Sequence, residues 1–369
     1  MAYPLLIDKR TRAPQTLLKD GQKVTYADEI MKVCLVASRI QGMGGIEVTV
    51  RQLQHGLVER GFDVDVLTGI PIKIKGLMNP SFAMKALMLV KKVDADIFHA
   101  HGGFNMIPLS RARGRKVMTI HGVWSKAIEF LHGKTAGSIA RRIESRFLKK
   151  VDALTVVSRE AERTYKEYHP IYIPNGMDVD DFGTKAKNSV DLAENSVLYI
   201  GRLSREKGIE VLLEAWRKVH SSLASAKLYI LGSGELQRKV IDYKKFGVEF
   251  VGEVSHDDVP NWLCNASLFV LPSVRETGMP MAVLEAMAMK VPVVATRSGG
   301  VPDVIINGKT GILIEPSSED KLSEAILMAL TSNLSRIVVN AYERLRRHHS
   351  LDECIDAYIK VYEETLQSD

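Results

Sequence analysis

The sequence predicts an α/β protein made of two doubly wound parallel-sheet domains, and three observations carry that reading. Short β-rich runs alternate with helical patterns along nearly the whole chain. The runs are continuously apolar rather than alternating, as strands covered by helices on both faces require. A polar stretch, DDFGTKAKNSVDLAENS (180–196), separates six such runs from six more.

In the first half the runs are MKVCLVAS (31–38), FDVDVLTG (62–69), DIFHAHG (96–102), RKVMTIHG (115–122), ALTVVS (153–158) and IYIPNG (171–176). In the second half they are VLYIG (197–201), KLYILGSG (227–234), VEFVGEV (248–254), LFVLPS (268–273), PVVAT (292–296) and GILIEP (311–316). Residues 1–30 fit neither period and read as an extension, mobile or packed. The last segment carries Leu351, Cys354, Ile355, Tyr358, Ile359 and Tyr362 at helical spacing. The expected organisation is therefore an extension over 1–30, a first domain over 31–182, a second over 183–345 and a terminal helix over 346–369.

Composition narrows the function classes. A chain of 369 residues, 46% hydrophobic and 25% charged, is an ordinary globular one of two or three domains. No run approaches the roughly 18 apolar residues of a membrane span, and MAYPLLIDKR lacks the apolar core of a signal peptide, so the expectation is an intracellular, cytoplasmic protein. Cys34, Cys264 and Cys354 are odd in number and far apart, which argues against a disulfide framework or a zinc site. The net charge of +6 is concentrated: residues 111–150 hold eleven Lys or Arg against two acids, Glu129 and Glu144. Such a patch is either a solvated face or a surface for anionic partners.

Open parallel sheets bind ligands at the carboxyl ends of their strands, and the unusual residues fall there. The first strand runs into Gly42, Gly44 and Gly45 ahead of a helix, a turn that lets backbone approach an anion or simply makes a tight connection. After the seventh strand, Arg202 and Lys207 flank a glycine turn, where a planar fork and a point charge would grip a diphosphate. RETGMPMAVLEAMA (275–288) sets Glu276 and Glu285 in an apolar stretch around a Gly-Met-Pro turn, with Pro280 expected at the first helical position. Burying either acid without a partner would be costly.

Taken in order, MGGIE (43–47), HAHGG (99–103), TIHG (119–122), VVS (156–158), IPNGMDVDDF (173–182), YIGRLSREKGIEVLLEAW (199–216), LPSVRETGMPMAVLEAMAMKVPVVAT (271–296) and SGGVPDVI (298–305) resemble the retaining glycosyltransferases of family 4, over residues 31–367. The resemblance implies two Rossmann-like domains facing across a cleft, with the terminal helix crossing back to the first domain. It implies that Glu276 contacts the hydroxyls of a donor sugar, Glu285 the nucleotide ribose, and Arg202 and Lys207 the diphosphate. The Thr277-Gly278-Met279 loop would meet the donor closely, and Val254 would pack against the base. From the first domain, His121 would lie near the donor sugar and Gly44 and Gly45 near the diphosphate or acceptor. His99 and His101 read as structural.

The implied reaction moves a hexosyl group from a UDP- or GDP-sugar to a hydroxyl with retention, the departing phosphate taking the acceptor's proton, so no protein nucleophile, cofactor or metal is required. Asp63-Val-Asp65, Asp94-Ala-Asp96 and Asp178-Val-Asp180 look like metal-binding pairs but read as structural. One departure stands out: eight residues, Thr277 to Leu284, separate the two glutamates where the family usually has seven. Either the loop bulges and Glu276 keeps its role, or Thr277 takes part of it. The acceptor is a sugar, lipid or glycolipid rather than nucleic acid. An apolar row, Ile139, Ile143, Phe147 and Val151, beside Arg142, Arg146 and Lys149 suits an anionic membrane, which would place the protein peripherally on an inner membrane face. Two other readings stay open: a nucleotide-sugar 2-epimerase of the same architecture, and a non-catalytic nucleotide-sugar binder.

Overall fold

The computed structural model describes residues 6–8, 18–19, 22–23, 30–38, 44–68, 85–187 and 189–368. The chain forms two compact units, Met1–Pro174 with Asp352–Asp369, and Asn175–Leu351.

The first unit holds the strands β1 (Leu6–Asp8), β2 (Leu18–Lys19), β3 (Gln22–Lys23), β4 (Lys32–Val36), β5 (Asp63–Thr68), β6 (Ile97–His101), β7 (Arg115–Ile120), β8 (Ala153–Val156) and β9 (Ile171–Tyr172). Seven of them make one sheet in the order β1-β5-β4-β6-β7-β8-β9, parallel except for β1, which runs antiparallel to β5. The six expected strands of this half are thus all present, and part of the 1–30 segment supplies an edge strand. β5 and β6 flank β4 on opposite sides, so the order reverses at the carboxyl ends of β4 and β6. All five residues of β6 are buried, as a strand covered on both faces demands.

The second unit contains β10 (Ser196–Ile200), β11 (Lys227–Leu231), β12 (Val248–Gly252), β13 (Leu268–Leu271), β14 (Val293–Thr296) and β15 (Ile312–Ile314). They form a parallel sheet in the order β12-β11-β10-β13-β14-β15, the doubly wound dinucleotide-fold order, whose switch point lies between β10 and β13. The helix Ile209–Ser222 packs on it through Ile209, Leu212, Leu213, Trp216 and Val219, spaced at three and four residues along one face. Trp216 is fully buried and donates its Nε1–H to the Phe246 carbonyl at 2.8 Å, so its polar edge is satisfied inside the core.

The terminal helix Leu351–Gln367 belongs to the first unit from Asp352 onward. It buries Cys354, Ile355, Tyr358, Ile359 and Tyr362, and Ile355 lies where a side chain at Gly56 would be. Arg60 reaches across to Asp352 and Asp356 at 2.7 and 2.8 Å.

The unit boundaries differ from those read in the sequence. The chain leaves the first unit at Pro174, ahead of the expected boundary after Phe182, and re-enters it after Leu351 rather than after residue 345. The polar stretch 180–196 is packed onto the second unit, because its polarity is spent on specific partners. Asp178 caps the helix Val179–Thr184 by accepting from the Asp181 N–H at 2.9 Å, and Phe182 is buried. The Lys187 N–H donates to Asn261 Oδ1 at 2.6 Å, and Asn265 donates to the Val190 carbonyl at 2.6 Å. Cys34 and Cys354 are buried and Cys264 half-buried; burial pushes the Cys34 thiol up to about 12. Among the described residues no single helix is long and apolar enough to cross a membrane.

Candidate functional site

At the switch point of the second sheet, the loop after β10 meets the loop after β13. Gly208 makes the approach: it sits at φ +73°, and a Cβ there would strike the Pro272 carbonyl. This contact brings Lys207 onto Glu276. Lys207 Nζ donates to both carboxylate oxygens, at 2.7 and 2.8 Å. The Ser273 hydroxyl donates to Glu276 Oε2 at 2.9 Å, and the Thr277 N–H to Oε1 at 3.3 Å. The backbone N–H of Glu276 itself donates to Ser298 Oγ at 2.7 Å. Both partners are largely withdrawn from water, the side chains being 18% and 6% exposed.

The eight-residue spacing thus leaves Glu276 in the crevice, with half-buried Thr277 beside it through its backbone N–H. Gly300 and Gly299 support the loop from below: a Cβ at Gly300 would come 2.8 Å from the Gly278 carbonyl, and one at Gly299 would meet the carbonyl of Glu276. Asn175 donates from Nδ2 to the Met279 carbonyl at 3.1 Å, while its own Oδ1 is buried without a partner.

Arg202 is at the opposite extreme. Its side chain is 70% exposed and pairs at 2.7 Å with Glu206, which is only 13% exposed. The Glu206 carbonyl in turn receives the Arg275 N–H at 3.0 Å, so the Arg202 turn and the glutamate loop are joined through backbone. Glu285, on the helix Met281–Ala288, is buried with Oε1 3.0 Å from His256 Nε2. His256 follows half-buried Val254 and stacks at a tilt on Phe182, 5.9 Å between ring centres. Pro280 is the extended residue before this helix, not its first turn, so the free N–H groups begin at Met281.

The two buried carboxylates therefore have protein partners already: a cation for Glu276 and an imidazole for Glu285. The sequence reading named Lys207 as a phosphate ligand and missed this pairing. It also missed Ser273, Ser298 and His256, for which spacing gave no cue, although Ser298 lies in the SGG motif.

Gly44, Gly45 and His121 belong to the first unit. Gly44 is the extended residue that starts the helix Gly45–Glu59, accepting the Val48 N–H at 3.0 Å; Gly42 and Met43 lie outside the described residues. His121 ends a chain of buried polar groups. Its Nε2 lies 3.0 Å from His101 Nδ1. His99 stacks on His101 at 4.1 Å and bonds Tyr362 Oη and Thr119 Oγ1, both at 2.6 Å. Burial holds the His121 imidazole down at about 4 and His99 at about 3, with His101 also well below the usual range, so all three are neutral at pH 7.

Three of the carboxylates in the stretches that look like metal motifs have protein partners. Asp94 pairs with Lys32 at 2.7 Å, Asp96 accepts the Lys32 N–H at 2.8 Å, and Asp178 is the helix cap already described.

Comparison with known proteins fits this arrangement. Residues 194–332 match the family described as glycosyl transferases group 1, and residues 43–181 match glycosyltransferase family 4. The chain is 25% identical to an uncharacterized glycosyltransferase of Methanocaldococcus jannaschii over 91% of this chain and 99% of that one. It is 30% identical to the GDP-mannose-dependent monoacylated alpha-(1-6)-phosphatidylinositol monomannoside mannosyltransferase of Corynebacterium glutamicum, over 60% of this chain and 65% of that one. In fold it is similar to sucrose-phosphate synthase of Thermosynechococcus elongatus, with a TM-score of 0.77 at 20% identity, covering 90% and 98% of the two chains. The two matches, one over each half of the chain, make it a member of the family 4, group 1 glycosyltransferases.

Proposed function

We propose that the protein is a retaining, metal-independent hexosyltransferase. It moves a hexose from a UDP- or GDP-sugar to a hydroxyl acceptor, one carried on a lipid or glycolipid at an anionic membrane surface. The observation that carries the reading is the Lys207–Glu276 pair at the switch point. An ionised carboxylate has about four lone-pair sites, and here Lys207 (twice), Ser273 and the Thr277 N–H occupy them. A donor diphosphate draws the Lys207 ammonium toward itself, which frees Glu276 oxygens for sugar hydroxyls. Recognition of the sugar is thereby tied to recognition of the phosphates.

In the same reading Arg202 and Lys207 stabilise charge on the departing nucleotide, the largest effect in such transfers, in place of a metal ion. Glu285, oriented by His256, accepts from the ribose. Val254 packs on the base, and the Thr277-Gly278-Met279 backbone with the free N–H groups from Met281 faces the donor. On the first unit, the neutral imidazole of His121 positions the acceptor, and Gly44 and Gly45 leave room for it.

The test is thermal unfolding of the protein with UDP-glucose, UDP-GlcNAc and GDP-mannose, followed by product analysis. GDP-mannose comes first because the Corynebacterium relative is GDP-mannose-dependent. Saturation to 100 Kd stabilises by about 2.7 kcal/mol, and Glu285→Ala should reduce that gain. The reading fails if no nucleotide sugar raises the unfolding temperature and no UDP or GDP is released. A C2 epimer of UDP-GlcNAc would identify an isomerase instead, and binding without nucleotide release a silent binder.

A further inference from the structure

In the helix Lys134–Leu148 the buried positions are Gly137, Ala140, Glu144 and Leu148. At about 100° per residue, Ile139 falls on the far side of the helix from that row and Ile143 about a right angle from it. They are 55% and 37% exposed. Two small residues, an acid and Leu148 face the core, while two isoleucines are left outside it. The same outer side carries Arg142 and Arg146, and Lys150 is exposed just past the helix end. The preceding helix, Trp124–His132, carries Leu131, 58% exposed, one residue before its end.

The one acid in 134–150, Glu144, is turned inward. It is 2% exposed and accepts from the Tyr165 hydroxyl at 2.7 Å and the Ser125 N–H at 3.3 Å. Burial raises its carboxyl, which favours the neutral form. The outer face thus sets the isoleucines beside exposed cations, and residues 134–150 present no carboxylate there. Of the sequence-predicted row, Phe147 and Val151 instead pack against the first unit's core.

We infer that this face docks on a bilayer containing anionic phospholipid, the isoleucines entering the headgroup boundary and Arg142, Arg146 and Lys150 meeting lipid phosphates. An exposed apolar stripe flanked by cations is the pattern of an interfacial helix, and each Lys or Arg near an anionic surface strengthens binding about fivefold. The inference deepens the lipid-linked acceptor reading and takes its purpose from it. Its test contains neither donor nor acceptor, so the two fail separately.

The full chain is sedimented with vesicles of phosphatidylcholine alone, or of phosphatidylcholine with phosphatidylglycerol. Binding is expected only to the second and should weaken as salt rises. Arg142→Gln should weaken it about fivefold, and the double variant Ile139→Gln with Ile143→Gln should lower it at least as far. Because both isoleucines are exposed, the double variant should keep the parent's thermal unfolding, which separates lost docking from lost folding. Equal binding to neutral vesicles, no binding to either, or undiminished binding by the double variant overturns the proposal. A dimer in solution that the double variant dissociates would overturn it in favour of self-association.

Discussion

Replacing Lys207 by methionine keeps most of the side chain's length and removes its charge, which leaves Glu276 without its cation at only 6% exposure. Breaking a buried pair by deleting one partner costs about 3–5 kcal/mol, because the remaining charge is uncompensated. Glu276 keeps two other donors, the Ser273 hydroxyl at 2.9 Å and the Thr277 N–H at 3.3 Å, so the lower end, about 3 kcal/mol, applies. For a unit of this size the unfolding midpoint should fall by roughly 6–12 °C. Adding Glu276→Gln removes the stranded charge and should recover more than half of the loss, since the amide still accepts from Ser273. Calorimetry on the two single variants and the double variant closes the cycle. Turnover follows another course: both single variants and the double variant should be inactive, because the proposed chemistry needs each group. A Lys207→Met variant as stable as the parent, or a double variant less stable than both singles, would refute the reasoning, since Glu276 would then not depend on Lys207.

Arg202 lies 70% exposed in a single surface pair, and such pairs contribute about 0–1 kcal/mol; Arg202→Ala should leave the melting midpoint within a few degrees while removing most turnover, as read by nucleotide release. Gly300→Ala places a methyl 2.8 Å from the Gly278 carbonyl and 3.0 Å from the Met279 Cα; donor affinity by titration calorimetry should drop about tenfold or more for a shift of that loop near 1 Å. Acid should destabilise the fold. His121 and His349 are held near 4 and His99 near 3, all chiefly by burial, so the unfolded chain binds protons below about pH 6.5 that the folded chain refuses. Stability is therefore present above pH 6.5 and is lost as pH falls toward 4, which urea midpoints across that range will show; a flat profile would mean that these imidazoles are hydrated in the native state.

Much of the fold could be read from the chain because strands covered on both faces leave an unmistakable mark: all twelve apolar runs became strands, in two sheets. The boundaries could not. A polar segment looks the same whether it is solvated or bonded to a neighbour, and Asp178, Lys187 and Asn265 are bonded. In the site, Lys207 and Glu276 were named separately, and 69 residues of sequence hid that they touch. His256 stands beside Glu285 only because the segment after β12 passes that helix, a matter of topology rather than spacing. The isoleucines at 139 and 143 were visible as a stripe, but periodicity alone does not say which side of a helix faces the core.

The helix Leu351–Gln367 supplies Tyr358 and Tyr362 to the polar chain under β6 and β7, so the first unit is assembled from two pieces of sequence with the whole second unit threaded between them. On the ribosome, residues 32–174 emerge long before the helix that completes them, while Asn175–Leu351 is contiguous and free to finish first. The half begun earlier can therefore be completed only after the other has been made, since the His99 imidazole lacks its tyrosine until the closing helix arrives.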